Sequence, residues 1–467
     1  MINPDESWEG NTVSNENERH HLDDELLYIA LTSGDVELFR REFLELHSYD
    51  QAQYYLQLDQ GVRETVYHYL SPNEMADIYV HIDVNQIVND SLMQEMSPRY
   101  ASEMLQNMFA DDAVDVLNEL DKNQVASYLT LMNAEAAKEI KELLHYEEYT
   151  AGSIMTTEFV AISKNQTIRS AMYILKNEAP NAETIYYIYV VDELKHLVGV
   201  LSLRDLIVAH DDLMVHEVMS DRVKSVMVGE DQEEVARMMK DYGFLALPVV
   251  DFQEHLLGII TVDDIMEVMD EEATDDYSKL AGVSDLDVVD VSPFSAAKKR
   301  LPWLIILLVL GMVTASIIAQ FEETLDKVAL LAVFIPLIAG MAGNTGTQAL
   351  AVAVRGIATG EIQNKSKRTL LLREAGTGLI TGITCGILIT IGIILWQGTL
   401  VLGILVGFSI FASIFVATLA GSFVPLIMHK VNIDPAVASG PFITTINDLL
   451  SIFIYFGLAT LFMNYLL

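Results

Sequence analysis

Three hydrophobic patterns divide the chain. From 24 to 145, apolar residues recur at helical spacing in short runs. Each run opens on a capping signal: Ser71-Pro72-Asn73-Glu74, Ser97-Pro98-Arg99, Asp111-Asp112, Asp121-Lys122-Asn123 and Asn133-Ala134-Glu135. Steps of about a dozen residues leave loops too short to wander, so the pattern predicts short helices stacked into an α-superhelix. From 152 to 270 short apolar strands alternate with helices. From 301 onward five long apolar stretches occur, at about 301–320, 328–354, 374–396, 400–427 and 436–465. A membrane-spanning helix needs about 20 such residues at about 1.5 Å each. Residues 1–23 are polar and are expected to be disordered. Residues 271–300 connect the polar part to the apolar part.

The middle region repeats itself. Tyr189-Val190-Val191-Asp192 matches Pro248-Val249-Val250-Asp251, and Gly199-Val200-Leu201-Ser202-Leu203-Arg204-Asp205-Leu206 matches Gly258-Ile259-Ile260-Thr261-Val262-Asp263-Asp264-Ile265 at the same offset. Met155-Thr156 opens one copy and Met219-Ser220 the other. Each copy, 152–211 and 215–270, reads strand, helix (Ile168–Lys176; Glu233–Tyr242), strand, turn, strand, helix. These residues resemble a tandem pair of CBS domains. That resemblance implies a cleft for an adenine nucleotide such as ATP, with ribose contacts from Ser202 and Asp205 in one copy and Thr261 and Asp264 in the other, and with Phe244 beside it.

Charge sharpens the division. The 467 residues carry 28 Lys+Arg against 66 Asp+Glu, a net charge of -38. Ten basic and seven acidic residues lie from Ala297 onward, so 1–296 holds 18 basic and 59 acidic residues, a net of -41. Nucleic acid and anionic lipid are poor partners for such a region, and cations are good ones. Asp111 and Asp115, four apart on one helix, are candidate cation ligands. Glu271, Glu272, Asp275 and Asp276 put four carboxylates in six residues of the connecting segment, which continues past Ser292-Pro293 as a helix carrying Lys298-Lys299-Arg300. The plainer reading of each is a solvated acidic face. Cys385 is the single cysteine, which rules out an internal disulfide. The acidic start lacks the basic and apolar regions of a cleaved signal peptide.

In the apolar third, Asp448 falls near mid-membrane, where a carboxylate costs on the order of 3 kcal/mol even on the lenient insertion scale. Gly440, Pro441, Thr444, Thr445 and Asn447 accompany it, and an ion path or a protonated Asp bonded to a neighbouring helix would each account for it. The second span carries Pro336…Gly343-Asn344-Thr345-Gly346-Thr347-Gln348, neutral oxygens among small residues. Gly378, Gly382 and Gly386 read as a packing seam in the third. Lys298, Lys299, Arg300, Arg355, Lys365, Lys367, Arg368, Arg373, His429 and Lys430 flank one side of the spans, while the other side has Lys327 beside Glu322, Glu323 and Asp326. The positive-inside rule then places the N-terminal domains in the cytoplasm and the C-terminus outside.

The whole order resembles the MgtE family of magnesium channels and transporters. Pro336…Gly343-Asn344-x-Gly346-x-Gln348, Thr184-Ile185-Tyr186-Tyr187-Ile188-Tyr189 and Glu272-Ala273-Thr274-x-Asp276 carry the resemblance. It implies a multidomain fold: an α-superhelical N domain, an α/β CBS pair, a connecting helix, and an all-α domain of five transmembrane helices. It further implies a homodimer in the plasma membrane that takes up Mg²⁺ past Asp448 and Asn344. Cytosolic Mg²⁺ would hold it shut through Asp111, Asp115, Asp264, Glu272, Asp275 and Asp276. One departure stands out: Gly243 replaces the Asp that related sequences often place before the residue matched by Phe244. Alternatives are a transporter of Co²⁺ or Mn²⁺, whose oxygen ligands are alike, and a membrane-anchored nucleotide sensor. An enzyme is not expected, since no Walker-A loop, nucleophile elbow or His-rich motif occurs.

Overall fold

The computed structural model describes residues 24–89, 91–283, 293–360, 367–431 and 433–466. The stretch expected to be disordered, 1–23, lies outside them, as do Ser292 and Lys365. The chain divides into two compact units, Met1–Val268 and Met269–Leu467.

The first unit opens with short helices, and their ends are where the capping residues put them. Ser71 and Glu74 form a reciprocal capping box ahead of Pro72–Tyr79. Ser97 accepts from Tyr100 N at 3.2 Å, and Asn133 accepts from the Glu135 and Ala136 amides. Phe39, Tyr55, Met75, Tyr79 and Leu92 fill the core between them. Arg63 and Glu95 pair inside it, with side chains only 12% and 5% exposed, and Tyr67 also donates to Glu95. Helix α1 (Ala110–Asn118) carries Asp111 and Asp112 in its first turn rather than at its cap, which is Phe109.

Two three-stranded sheets come next: β1 (Phe159–Ser163), β2 (Thr184–Val191) and β3 (Leu197–Ser202), then β4 (Val226–Met227), β5 (Ala246–Val250) and β6 (Leu256–Thr261). In each, the first strand runs parallel to the second and the third pairs with it antiparallel. Tyr187 faces Ser202 as Ala246 faces Thr261, and the irregularities at Val190/Val191 and Val249/Val250 also correspond. The repeat therefore extends to register. At the junction of the copies the His196 and His255 rings stack at 4.8 Å, each bonded to the Asp four residues before it.

Helix α2 (Val262–Ala281) leaves β6 and continues through the 270/271 position without a break. In the second unit, α3 (Pro293–Ala319), α4 (Ile335–Ala358), α5 (Lys367–Gln397), α6 (Leu400–Lys430) and α7 (Gly440–Leu461) hold the long apolar segments. Among the described residues five helices are long and apolar enough to cross a membrane. Their ends differ from the hydropathy reading. Helix α5 begins at Lys367, because charged residues continue a helix beyond the apolar zone while their heads reach outward. Helix α7 begins only at Gly440, since Pro435 opens a separate short turn, Pro435–Val437, and Ser439 caps the new helix by accepting from Phe442 N. The glycine row seats α5 on α6. A Cβ on Gly378 would lie 3.0 Å from Thr418 Oγ1, on Gly382 3.0 Å from the Phe411 carbonyl, and on Gly386 2.7 Å from the Gly407 carbonyl. None of the apolar window of α3 is buried within the chain.

Candidate functional site

One acidic cluster is built by three separated segments. Asp111 stands in the first turn of α1, whose first amide donates to Glu158 at 3.2 Å. The positive end of a helix is where a carboxylate is best tolerated. Glu183 immediately precedes β2, and Asp264 lies in the first turn of α2. One oxygen from each of these three falls within 4.8 Å of the others. Asp264 Oδ2 accepts from Thr261 N at 3.2 Å and Thr261 Oγ1 at 2.5 Å. Asp111 Oδ1 and Glu183 Oε2 are buried without a hydrogen-bond partner.

Such crowding disfavours ionisation. Burial, then Glu183 and Asp264, hold the Asp111 carboxyl well above its usual range. Burial and then Asp264 push Glu183 up to about 8, and burial with Asp264 pushes Asp112 up to about 7. Asp264 is raised by burial against the opposing Thr261 bonds. Ligands of one octahedral Mg²⁺, with bonds of about 2.1 Å, lie at most about 4.2 Å apart. The three carboxylates are close enough that one divalent cation could be held among them, directly or through its waters. The donor set is all hard oxygen, and its two orphaned oxygens are what a cation would satisfy.

Asp115, one turn along α1, is exposed and is not part of this cluster. Glu183 was not singled out by sequence. Its only signal is its place directly before the Thr184-Ile185 run.

In both Ser/Thr-x-x-Asp motifs the hydroxyl donates to the Asp carboxylate, and Ser202 also caps its helix. Ser202 Oγ donates to Asp205 at 2.6 Å and accepts from its amide at 3.1 Å, whereas Thr261 donates to Asp264 from both its hydroxyl and its amide. Phe244 stacks on Tyr242 at 5.3 Å. Gly243 ends the helix Gln232–Tyr242 at φ +67, a left-handed conformation that suits glycine. On α2, Glu272, Asp275 and Asp276 succeed one another. Asp275 pairs with Lys279, and burial followed by Asp434 pushes Asp276 up to about 6.

In the apolar unit Asp448 sits eight residues into α7, facing α4. A Cβ on Gly343 would clash with Thr444 Cγ2 at 2.7 Å, so glycine is what lets α7 seat against α4 here, with Asp448 Oδ1 in ordinary contact range at 3.5 Å. Thr347 and Thr444 hydroxyls lie 3.2 Å apart. Asp448 Oδ1 is buried and unpartnered, as are both amide atoms of Asn447, which packs against Gly346. Asn344, the residue after Gly343, is exposed.

Family models match along the chain: the MgtE divalent cation transporter over 335–458, the MgtE intracellular N domain over 46–149, and the CBS domain over 151–212 and 215–271. A magnesium transporter MgtE of Enterococcus faecalis is 53% identical over 94% of this chain and 97% of its own length. The chain belongs to the MgtE family. The MgtE proteins of Bacillus subtilis and Thermus thermophilus are 40% and 37% identical over 94% and 93% of this chain, and each match covers 97% of the relative. These relatives are named as transporters, not enzymes. Among solved structures, the soluble part of a magnesium transporter is 55% identical, with TM-score 0.52, covering 54% of this chain and 99% of that one. The cytosolic domain of the Mg²⁺ channel MgtE in complex with ATP is 38% identical, with TM-score 0.50, covering 52% of this chain and 99% of that one. The helical N domain, the CBS pair and five apolar helices are thus the MgtE architecture, in a membrane protein with a soluble N-terminal part.

Proposed function

We propose that this MgtE protein conducts Mg²⁺ across the plasma membrane along α4 and α7, and that Mg²⁺ accumulating in the cytosol closes it. The observation that carries the reading is Asp448, a carboxylate with a buried, unpartnered oxygen in an apolar helix, set against the Gly343 region of α4. An anchor helix has no use for so costly a group. Hydroxyls of Thr347 and Thr444 and the exposed amide of Asn344 add neutral oxygens suited to an ion that keeps much of its water. A homodimer would present two such carboxylates, and the unburied α3 offers a face for a second copy or for lipid. The basic residues flanking the spans favour a cytoplasmic N-terminal region and an outer C-terminus.

Closure is a matter of charge. Asp111, Glu183 and Asp264 repel when ionised and unliganded, and cation binding removes that repulsion, so the packed arrangement is favoured as cytosolic Mg²⁺ rises. Asp115, Glu272, Asp275 and Asp276 would extend the same response to α1 and α2. An adenine nucleotide, as in the solved relative bound to ATP, would compete with Asp205 and Asp264 for the Ser202 and Thr261 hydroxyls, beside Phe244. Gly243 offers no carboxylate there, so one cation contact of some relatives would be missing.

The test is Mg²⁺ flux into liposomes carrying wild type or Asp448→Ala, across a range of Mg²⁺ on the N-terminal side, with Co²⁺ and Mn²⁺ as competitors. Wild-type flux that declines with this Mg²⁺ and is lost in the variant is the expected result. Equal flux in both proteins would move the path away from Asp448.

A further inference from the structure

Lys279 takes no part in the conduction path or the acidic cluster, yet it closes the contact between α2 and the segment that leads to Asp448. Its ammonium pairs with Asp275 one turn earlier and lies 2.5 Å from Asp434 Oδ2. Asp434 Oδ1 accepts from Ala436 N at 2.8 Å and so opens the turn Pro435–Val437. One carboxylate therefore fixes the turn with one oxygen and Lys279 with the other.

An apolar seat lies directly beside this bridge. Leu280 packs with Leu350, Val354, Ala436, Ala438 and Ile443. A Cβ on Gly440 would lie 3.1 Å from the Leu280 carbonyl, and one on Gly282, at φ +71, would lie 3.3 Å from the Pro441 ring. Helix α7 starts at Gly440, and Asp448 stands about 12 Å along it. An isolated Asp275–Lys279 pair one turn apart would be ordinary and weak. The reach to Asp434, 155 residues away, together with the apolar seat, is what that pair alone does not explain.

We propose that Lys279 is a positioning residue for transport: a tethered cation that keeps the end of α2 on the 434–441 segment without any divalent ion. Mg²⁺ then tightens a contact already made. Asp275 and Asp434 pair with Lys279 while Asp276 and Glu272 stand near, so net negative charge remains for a divalent cation to offset. This rests on the reading of α2 as part of the closing device.

The test is hydrogen exchange of segments 276–283 and 434–440 in full-length protein in lipid nanodiscs, in EDTA and in Mg²⁺, alongside liposome flux. In EDTA, Lys279→Met should exchange about fivefold faster than wild type in both segments and should regain protection in Mg²⁺, while Lys279→Arg stays near wild type. Recovery in Mg²⁺ separates loss of the tether from misfolding. With EDTA confined to the N-terminal side and Mg²⁺ supplied on the other, flux of Lys279→Met should exceed that of wild type. Equal protection of wild type and Lys279→Met in EDTA would overturn the proposal, as would an Arg variant as loose as Met. Wild-type flux indifferent to Mg²⁺ would instead remove the closure reading, whatever the exchange data say of Lys279.

Discussion

Raising the pH without Mg²⁺ should loosen α1 from its acidic partners, and Mg²⁺ should reverse this. Glu183 is pushed from an ordinary 4.5 to about 8, with burial and Asp264 as the main causes. A raised carboxyl binds its proton more tightly in the folded protein than in the unfolded one. Its contribution to stability is therefore complete below about 4.5 and is lost as pH climbs through about 8. At about 1.4 kcal/mol per tenfold change in proton affinity, ionising Glu183 in place would cost about 5 kcal/mol. Glu183 is partly rather than fully buried, so solvent screening reduces this, and about 2 kcal/mol is the expected net effect. The assay is hydrogen exchange of the Ala110–Asn118 amides in the full-length protein at pH 6 and pH 8.5, each rate divided by its intrinsic chemical rate. The protection added by Mg²⁺ should be about thirtyfold greater at pH 8.5 than at pH 6. Glu183→Gln should flatten that difference. Protection by Mg²⁺ that is equal at both pH values, or a pH dependence unchanged in the Gln variant, would refute the account.

Three other outcomes are expected from the same geometry. Gly343→Ala should lower Mg²⁺ flux strongly and reduce thermal stability in detergent, because its Cβ would strike Thr444, whereas Gly340→Ala, with nothing within 4 Å, should be neutral or slightly stabilising on both measures. Arg63→Met should cost about 3–5 kcal/mol of N-domain stability in urea unfolding, because Glu95 stays buried without its partner; a loss under 1 kcal/mol would mean that water reaches Glu95. Ser71→Ala should cost about 1 kcal/mol in the same measurement, since it removes one half of the capping box.

Much of the architecture could be read from local signals. Ser71, Ser97 and Asn133 cap helices because capping is a matter of a few neighbouring residues. The two sheets were legible because matching apolar strands recur at one offset. Asp448 stood out because a carboxylate in an apolar run conflicts with its surroundings. What the chain hides is what folding assembles from afar. Glu183 joins Asp111 and Asp264 only once β2 and α2 are laid beside α1, and nothing in its own neighbourhood marks it. Asp434 and Lys279 are remote in sequence, and each alone reads as an ordinary surface charge. The ends of α5 and α7 escaped hydropathy for opposite reasons: long basic side chains prolong a helix into polar surroundings, and prolines stop one while the sequence is still apolar.

Helices α5 and α6 have a consequence that depends on the lipid. Each has 31 residues, about 46 Å of helix, against a hydrocarbon layer of about 30 Å. The glycine seam holds the two together, so neither can change its angle alone. Gly421 of α6 also lies against α4, where an added Cβ would come 2.3 Å from the Gly346 carbonyl. A change in membrane thickness that tilts the long pair therefore bears directly on the helix that faces Asp448. Mg²⁺ flux in liposomes is accordingly expected to vary with acyl-chain length.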